Sequence, residues 1–375
     1  MVLTETQSAI GQAVRDFAQT RLRPHSRDYE RAGGFPDGLF EELAGLGLMG
    51  MTAPESYGGA GSDYASYALA LIELGAADGA LSTIVSIQNS LLVSGLLRQG
   101  TEAQKRRFLP DLIAGRMIGA FALTETDAGS DAAALRTRAT RADGGWVLNG
   151  TKQFINSGRI AGLTIVFAVT DPEAGKRGMS AFLVPTDRPG YLVDKVEHKL
   201  GQAASDTAAI RFDHLFVEDD LMFGVEGEGY KIALSNLEAG RIGIAAQSVG
   251  MAQAALEIAV GYAKDRHSFA KPIIEHQAVG FRLADLATRL EAARQLTLSA
   301  AALKDAGAPC LTQASMAKLF ASETAEAIVS GAIQTLGGYG YLEDFGLAKI
   351  YRDVRVCQIY EGTSDIQRMV IARAL

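Results

Sequence analysis

Five segments of this 375-residue chain place carboxylates, arginines, amides or glycines where a plain hydrophobic core would not. Such residues can take protons, pair with phosphates or let a ligand approach the backbone closely. The first segment is Ala122-Leu123-Thr124-Glu125-Thr126-Asp127-Ala128-Gly129-Ser130-Asp131, and the second is Lys152-Gln153-Phe154-Ile155-Asn156-Ser157-Gly158. The third, Glu238-Ala239-Gly240-Arg241-Ile242-Gly243, falls inside a helical stretch. The fourth runs from Asp265-Arg266-His267-Ser268-Phe269-Ala270-Lys271-Pro272-Ile273 to Gln277. The fifth joins Gln334-Thr335-Leu336-Gly337-Gly338-Tyr339-Gly340-Tyr341 to Tyr360-Glu361-Gly362-Thr363-Ser364-Asp365-Ile366-Gln367-Arg368. Taken singly, each has an ordinary structural reading. Segment 124–131 can be a capping loop, Arg241 and Arg266 solvated arginines, and Glu361 an exposed glutamate. Gly337-Gly338 can be a helix C-cap, and it lacks the preceding strand that a dinucleotide fingerprint needs.

The elements that must hold these segments read as helical, then β, then helical. Thr4 and Gln7 have capping-box spacing, and Ile10, Val14 and Phe17 share one helical face. Leu39, Phe40 and Leu43 begin a second run, helical texture resumes from about Asp63 to Gly100, and another helix carries Phe108 and Leu112. Between Ile118 and about Gly224 the apolar residues come in short β-branched runs, such as 164–169 and 181–184, punctuated by Asn149-Gly150 and Pro185. That is the pattern of an antiparallel β module. From Tyr230 onward Val279, Leu283, Leu286, Leu290, Ala293 and Leu296 step by threes and fours, and Leu311–Leu336 forms another long stretch. Long helices with short connections make a bundle. The expected division is a helical domain over 1–117, a β domain over 118–224 and a helical bundle over 225–375.

Composition bounds the function. With 48% apolar and 21% charged residues, the chain has material for a large core and is not a disordered or fibrous sequence. Its net charge of −7 disfavours nucleic acid as a partner. Cys310 and Cys357 have neither disulfide-framework nor zinc spacing. No run of roughly 18 uncharged apolar residues appears, so no membrane span is expected. The polar N-terminal stretch does not read as a signal, and a cytoplasmic, bacterial protein is the expectation.

Together, in this order and at this spacing, the five segments resemble the acyl-CoA dehydrogenase family over nearly the whole chain, from about Glu5 to Ala372. The resemblance implies an α+β multidomain fold: an N-terminal α-helical domain, a middle antiparallel β-barrel and a C-terminal four-helix bundle. It also implies a homotetramer with FAD between domains and subunits, an acyl-CoA substrate, and an electron-transferring flavoprotein as partner. Desaturating an acyl thioester removes an α-proton and a β-hydride. The α-carbon is a poor acid, so a positioned carboxylate must take the proton while hydrogen bonds stabilise the enolate-like oxygen. Glu361 resembles the family's base, and Gly362 after it leaves room for substrate. By the same match, the amide of Glu361 would hold the thioester oxygen.

Further roles follow residue by residue from the resemblance. Phe121, Leu123, Thr124, Gly129 and Ser130, with Phe154, Ile155 and Asn156, would line the flavin ring and its ribityl chain. Arg266, Phe269 and Gln277 would reach the FAD of a neighbouring subunit, and Gln334, Gly337 and Gly338 its adenine side. Thr363 and Asp365 match flavin contacts, while Glu238 and Arg241 match residues that hold the CoA part, and Ser130 would also touch substrate. Some positions depart from the family pattern. Asn156-Ser157 replaces Thr-Asn, Phe154 a tryptophan, and Ala270 a glycine, and Gln202-Ala203-Ala204 lies where an arginine is common. Segment 86–91 and the helix at Gly240-Arg241 resemble short-chain, butyryl-type members, so a short or short branched acyl chain is expected. The rival readings are an oxidase that uses oxygen on the same scaffold and a non-catalytic relative.

Overall fold

Thr4 and Gln7 make the capping box their spacing predicts. Thr4 Oγ1 accepts from the Gln7 amide at 3.1 Å, and Gln7 Oε1 accepts from the Thr4 amide at 3.0 Å. In this computed structural model, which describes residues 2–375, that box starts α1 (Glu5–Phe17). The helices α2 (Ser26–Ala32), α3 (Leu39–Gly45), α4 (Tyr64–Ala77), α5 (Gly79–Ile87), α6 (Ser94–Gln99) and α7 (Glu102–Ile113) follow. The helical stretch expected from 63 to 100 is broken at Asp78. That residue adopts an extended backbone, and its carboxylate accepts from the Leu81 amide at 2.9 Å, so it ends α4 and caps α5.

Seven strands come next: β1 (Gly119–Ala122), β2 (Arg138–Ala142), β3 (Gly145–Asn156), β4 (Leu163–Val169), β5 (Met179–Pro185), β6 (Tyr191–Val196) and β7 (Thr207–Glu218). They form one sheet in the order β1-β4-β2-β3-β7-β6, with β5 also on β4. The expected antiparallel pairing holds for most neighbours, but β1 and β4 pair in parallel, Gly119 with Leu163 through Ala122 with Val166, and β2 meets β4 in parallel at Arg138 and Val169. The β2–β3 hairpin lies between them in the chain and provides the crossover that parallel neighbours need. On β3 the register shifts between Lys152 and Ile155. In that bulge Phe154 takes a φ of 60° and is 61% exposed, in keeping with the way bulges re-aim side chains.

The chain then enters α8 (Gly229–Asp265), a short hairpin of β8 (His267–Ser268) and β9 (Lys271–Pro272), α9 (Gln277–Asp305) and α10 (Leu311–Leu336). The short helices α11 (Leu347–Val354) and α12 (Ser364–Ala372) pack on α10. One apolar core joins the N-terminal helices to the bundle through Leu71, Ile72, Ile242, Val249 and Ile328. A second lies beneath the sheet and includes Phe167, Phe182 and Phe212. The helices before and after the sheet therefore share one interior. Segment 79–99 and α8 are each long and apolar enough to cross a bilayer, yet 94% and 89% of their most apolar windows are buried inside the protein. This shared core sets α5 and α8 against the turn that carries Glu361.

Candidate active site

The turn Tyr360-Glu361-Gly362 precedes α12, which Thr363 caps by accepting from the Ile366 amide at 3.3 Å. Glu361 has a φ of 52° and Gly362 a φ of 93°. Glycine occupies the left-handed region freely, whereas a glutamate there stores about 1–3 kcal/mol of strain. Three side-chain hydrogen bonds hold the strained turn. Gln367 Nε2 donates to the Glu361 carbonyl at 3.3 Å and to the Gly362 carbonyl at 2.9 Å, and Lys318 Nζ donates to the Gly362 carbonyl at 2.7 Å. The left-handed turn aims the Glu361 side chain inward, onto α8. A Cβ added at Gly240 would overlap its Oε2, so α8 must have glycine there for the carboxylate to fit.

Oε2 of Glu361 is sealed from solvent and has no hydrogen-bond partner. Burial pushes this carboxyl up to about 7, against the pull of Lys318 and Arg241, whose charges favour the ionised form. Arg241 is itself only 6% exposed, and its Nε and Nη1 have no partner. Glu238, one turn earlier on α8, is engaged elsewhere: Lys304 Nζ lies 2.7 Å from its Oε1, which also accepts from Cys310 Sγ at 3.4 Å.

A buried polar network backs the turn. The Tyr360 hydroxyl donates to Gln247 Oε1 at 2.8 Å, Gln247 Nε2 donates to Thr83 Oγ1 at 2.6 Å, and Thr83 Oγ1 donates to Gln202 Oε1 at 2.7 Å. Gln202, one of the departures from the family pattern, donates its backbone amide to Asp353 Oδ1. Lys349 Nζ then bridges Asp353 Oδ2 at 2.6 Å and Asp78 Oδ2 at 3.1 Å. Side chains from all three parts of the chain thus converge behind the turn.

In front of it lies a cavity of about 160 Å³. The turn contributes Tyr360, Glu361 and Gly362, and the helical side contributes Thr83, Ile87, Leu91 and Leu237. Across the sequence, β1 and the loop after it contribute Phe121, Leu123, Thr124 and Gly129, and the end of β3 contributes Phe154, Ile155 and Asn156. The loop is tied to β3 by a buried ion pair, Lys152 Nζ to Glu125 Oε1 at 2.8 Å. The Glu125 carboxylate also accepts from the Arg136 and Thr137 amides at 2.6 and 3.0 Å. Burial pushes the Lys152 ammonium down to about 8, opposed by Glu125.

A second cleft, of about 410 Å³, gathers Arg266, Ser268, Gly337 and Gly338 from the β8 end and the end of α10. Beside it Phe269 is 91% exposed at the tip of the short hairpin. Ala270, which stands in a position of family glycine, has a φ of 65°, the conformation for which glycine is suited. Gln277 and Gln334 are exposed and do not line this cleft, and Ser130 and Asp365 are exposed outside the first cavity. Glu238, Arg241 and Thr363 also lie outside the lining of that cavity.

The two sites fit FAD by their donor chemistry. The first sets the apolar side chains of Phe121, Leu123 and Ile155 beside the hydroxyl of Thr124 and the amide of Asn156, which suits a flat conjugated ring with a polar edge. The second sets a guanidinium and a hydroxyl beside two residues without side chains, which suits a pyrophosphate and a nucleotide that approaches the backbone.

Sequence reasoning missed Lys318, Gln367 and the Thr83–Gln202–Gln247 network. A signal existed for Lys318: it lies four residues after Ala314 and three before Ala321, both on the buried face of α10. A charge on an otherwise apolar helical face is a marker for a site.

Comparison with known proteins follows the same segmentation. Family models described as acyl-CoA dehydrogenase N-terminal, middle and C-terminal domains match residues 4–116, 120–215 and 227–375. An acyl-CoA dehydrogenase of Bacillus subtilis (strain 168) is 45% identical over 375 residues, covering 100% of this chain and 99% of its own. The mitochondrial short-chain specific acyl-CoA dehydrogenase of Bos taurus is 45% identical, covering 99% of this chain and 90% of its own. The structure of butyryl-CoA dehydrogenase from Megasphaera elsdenii superposes with a TM-score of 0.97 at 40% identity, covering 100% of this chain and 99% of its own.

Proposed function

Because the chain belongs to the acyl-CoA dehydrogenase family, whose members are FAD-dependent oxidoreductases, we propose that it desaturates a short straight or short branched acyl-CoA to the trans-2-enoyl-CoA and passes the electrons to an electron-transferring flavoprotein. One observation carries this reading: Glu361, whose carboxyl is raised to about 7 and whose Oε2 has no partner, lines a cavity together with Phe121, Leu123, Thr124 and Asn156. A base whose pKa lies near working pH combines availability with proton affinity.

The β1 loop and the end of β3 would hold FAD, which would supply the acceptor for the hydride that leaves the β-carbon. Glu361 Oε2 takes the α-proton. The Glu361 amide, which donates to no acceptor among the described residues, is free to bind the thioester oxygen and stabilise its developing charge. Thr83, Ile87, Leu91 and Tyr360 would enclose the acyl tail. Arg241, buried with free N–H groups, would draw in the anionic end of the ligand, and Ser130 and Glu238 would border it. Thr363 and Asp365 would support the flavin from the end of the turn. In a homotetramer, Arg266, Phe269, Gln277, Gln334, Gly337 and Gly338 would hold the FAD of a neighbouring copy.

The purified protein should be yellow and should bleach when butyryl-CoA is added without oxygen, with longer acyl chains progressively slower. Failure to bleach with any chain of the series would sink the reading. Stoichiometric peroxide release during turnover in air would instead identify an oxidase. Gly240→Ala should keep its flavin and lose about 10²-fold in bleaching rate, because a methyl group displaces the base by an ångström or so. An unchanged rate would show that Glu361 does not act from this position.

A further inference from the structure

Lys318 is fully buried on the face of α10 formed by Ala314, Ala317 and Ala321. Its ammonium makes one hydrogen bond, to the Gly362 carbonyl at 2.7 Å, and no ion pair among the described residues. Removing an ammonium from water costs several kcal/mol even after relaxation, and a neutral carbonyl returns only part of that. The carbonyl does not need a charge to be satisfied, since Gln367 Nε2 already donates to it at 2.9 Å. A buried cation with a neutral partner is therefore retained for something its charge does.

The groups that face it identify what that is. Glu361 lies across the turn, Arg241 approaches from α8, Glu323 sits one turn along α10, and the Cys357 thiol packs from the segment before the turn. Tyr67 on α4 faces the same Glu361 carboxylate. Among these, Glu361 is the anion whose ionisation the reaction requires.

We propose that Lys318 is a positioning residue for the dehydrogenation: through the Gly362 carbonyl it fixes the left-handed Glu361–Gly362 turn, and through its charge it keeps the Glu361 carboxylate ionised and ready for the α-proton. This rests on the reading of Glu361 as the base. Burial pushes the Lys318 ammonium down to about 8 and the Glu361 carboxyl up to about 7. Between those values both groups are charged. Above about 8 the ammonium loses its proton, but Glu361 is by then already ionised, so the cation matters most on the acid side.

The test is the pH dependence of kcat/KM for butyryl-CoA in the wild-type flavoprotein and in Lys318→Met, Lys318→Gln and Lys318→Arg, with flavin content and the thermal midpoint measured in parallel. In the wild type, kcat/KM should rise through about 7 as Glu361 loses its proton. In the Met and Gln variants that rise should move up by roughly 1 pH unit, a loss of about tenfold well below it. Lys318→Arg should leave the rise in place. Loss of a buried charge should not lower the midpoint or the flavin content of the neutral variants. A rise that stays put in both neutral variants overturns the proposal, as does failure of both to accumulate as folded flavoprotein while the Arg variant does. A wild-type protein that does not turn over butyryl-CoA or its longer homologues removes the proposed function instead, before any variant is compared.

Discussion

Replacing Glu361 with glutamine is expected to leave a yellow, folded protein in which butyryl-CoA no longer bleaches the flavin. A carboxamide keeps the size of the side chain but cannot accept a proton from carbon. Loss of a positioned general base costs about 10²–10⁴-fold, and the α-proton of a thioester is acidic too weakly for water in a sealed cavity to substitute. The bonds that hold the turn are made by backbone carbonyls to Lys318 and Gln367, so the substitution leaves them intact. Stability should move the opposite way from activity. The folded protein binds the Glu361 proton more tightly than the unfolded chain does. Wild-type stability therefore falls as pH rises from the ordinary glutamate range through about 7 and is flat above it. Glu361→Gln carries no such term, so its thermal midpoint relative to wild type should climb over that window and stay raised above it. Rapid bleaching in the variant would remove Glu361 from the chemistry, and a relative midpoint that does not change with pH would show that the carboxyl is not desolvated in the free protein.

Much of the site was legible because its residue types are unusual for their local structure. Glu361-Gly362, Phe154 and Ala270 lie in segments that a plain core or loop does not explain, and each of these segments proves to contain a positive-φ residue. What was not legible depends on packing between distant parts of the chain. Lys318 stands out on an alanine-rich helical face, but what it holds is set only when the turn at 360–362 is laid over it. Thr83, Gln202, Gln247 and Tyr360 are separated by dozens of residues and meet only because the N-terminal helices and the bundle share one core. Gln202 illustrates the limit well. Against the family pattern it marks a missing arginine, whereas in the fold it is a buried amide with a φ of 51° that connects Thr83 to Asp353. The break at Asp78 was hidden for the same reason. The apolar pattern runs through it, and the aspartate that caps α5 there also pairs with Lys349, far along the chain.

That ionic cluster leads to the second large effect, Lys349→Met. Lys349 is 6% exposed, Asp78 and Asp353 2% each, and the ammonium lies within hydrogen-bond reach of both carboxylates. Burial disfavours the ammonium, but two adjacent carboxylates outweigh it and hold Lys349 protonated well above the ordinary lysine range. Asp353 is pushed up by burial and by the like charge of Asp78, against the pull of Lys349. Methionine fills a similar volume but leaves two carboxylates facing each other out of water. Removing one partner of a buried ionic group costs about 3–5 kcal/mol. The flavin-loaded variant should therefore unfold at a clearly lower temperature, and adding Asp353→Asn in the same chain should restore part of the loss by removing one of the stranded charges. Activity should fall as well, since Asp353 anchors Gln202, and Gln202 with Thr83 and Gln247 fixes the Tyr360 hydroxyl beside the base. A Lys349→Met midpoint equal to wild type would mean that the two aspartates share a proton without help. In that case the contacts of the Tyr360 hydroxyl with Gln247, Thr83 and Gln202 hold it without help from the ionic cluster.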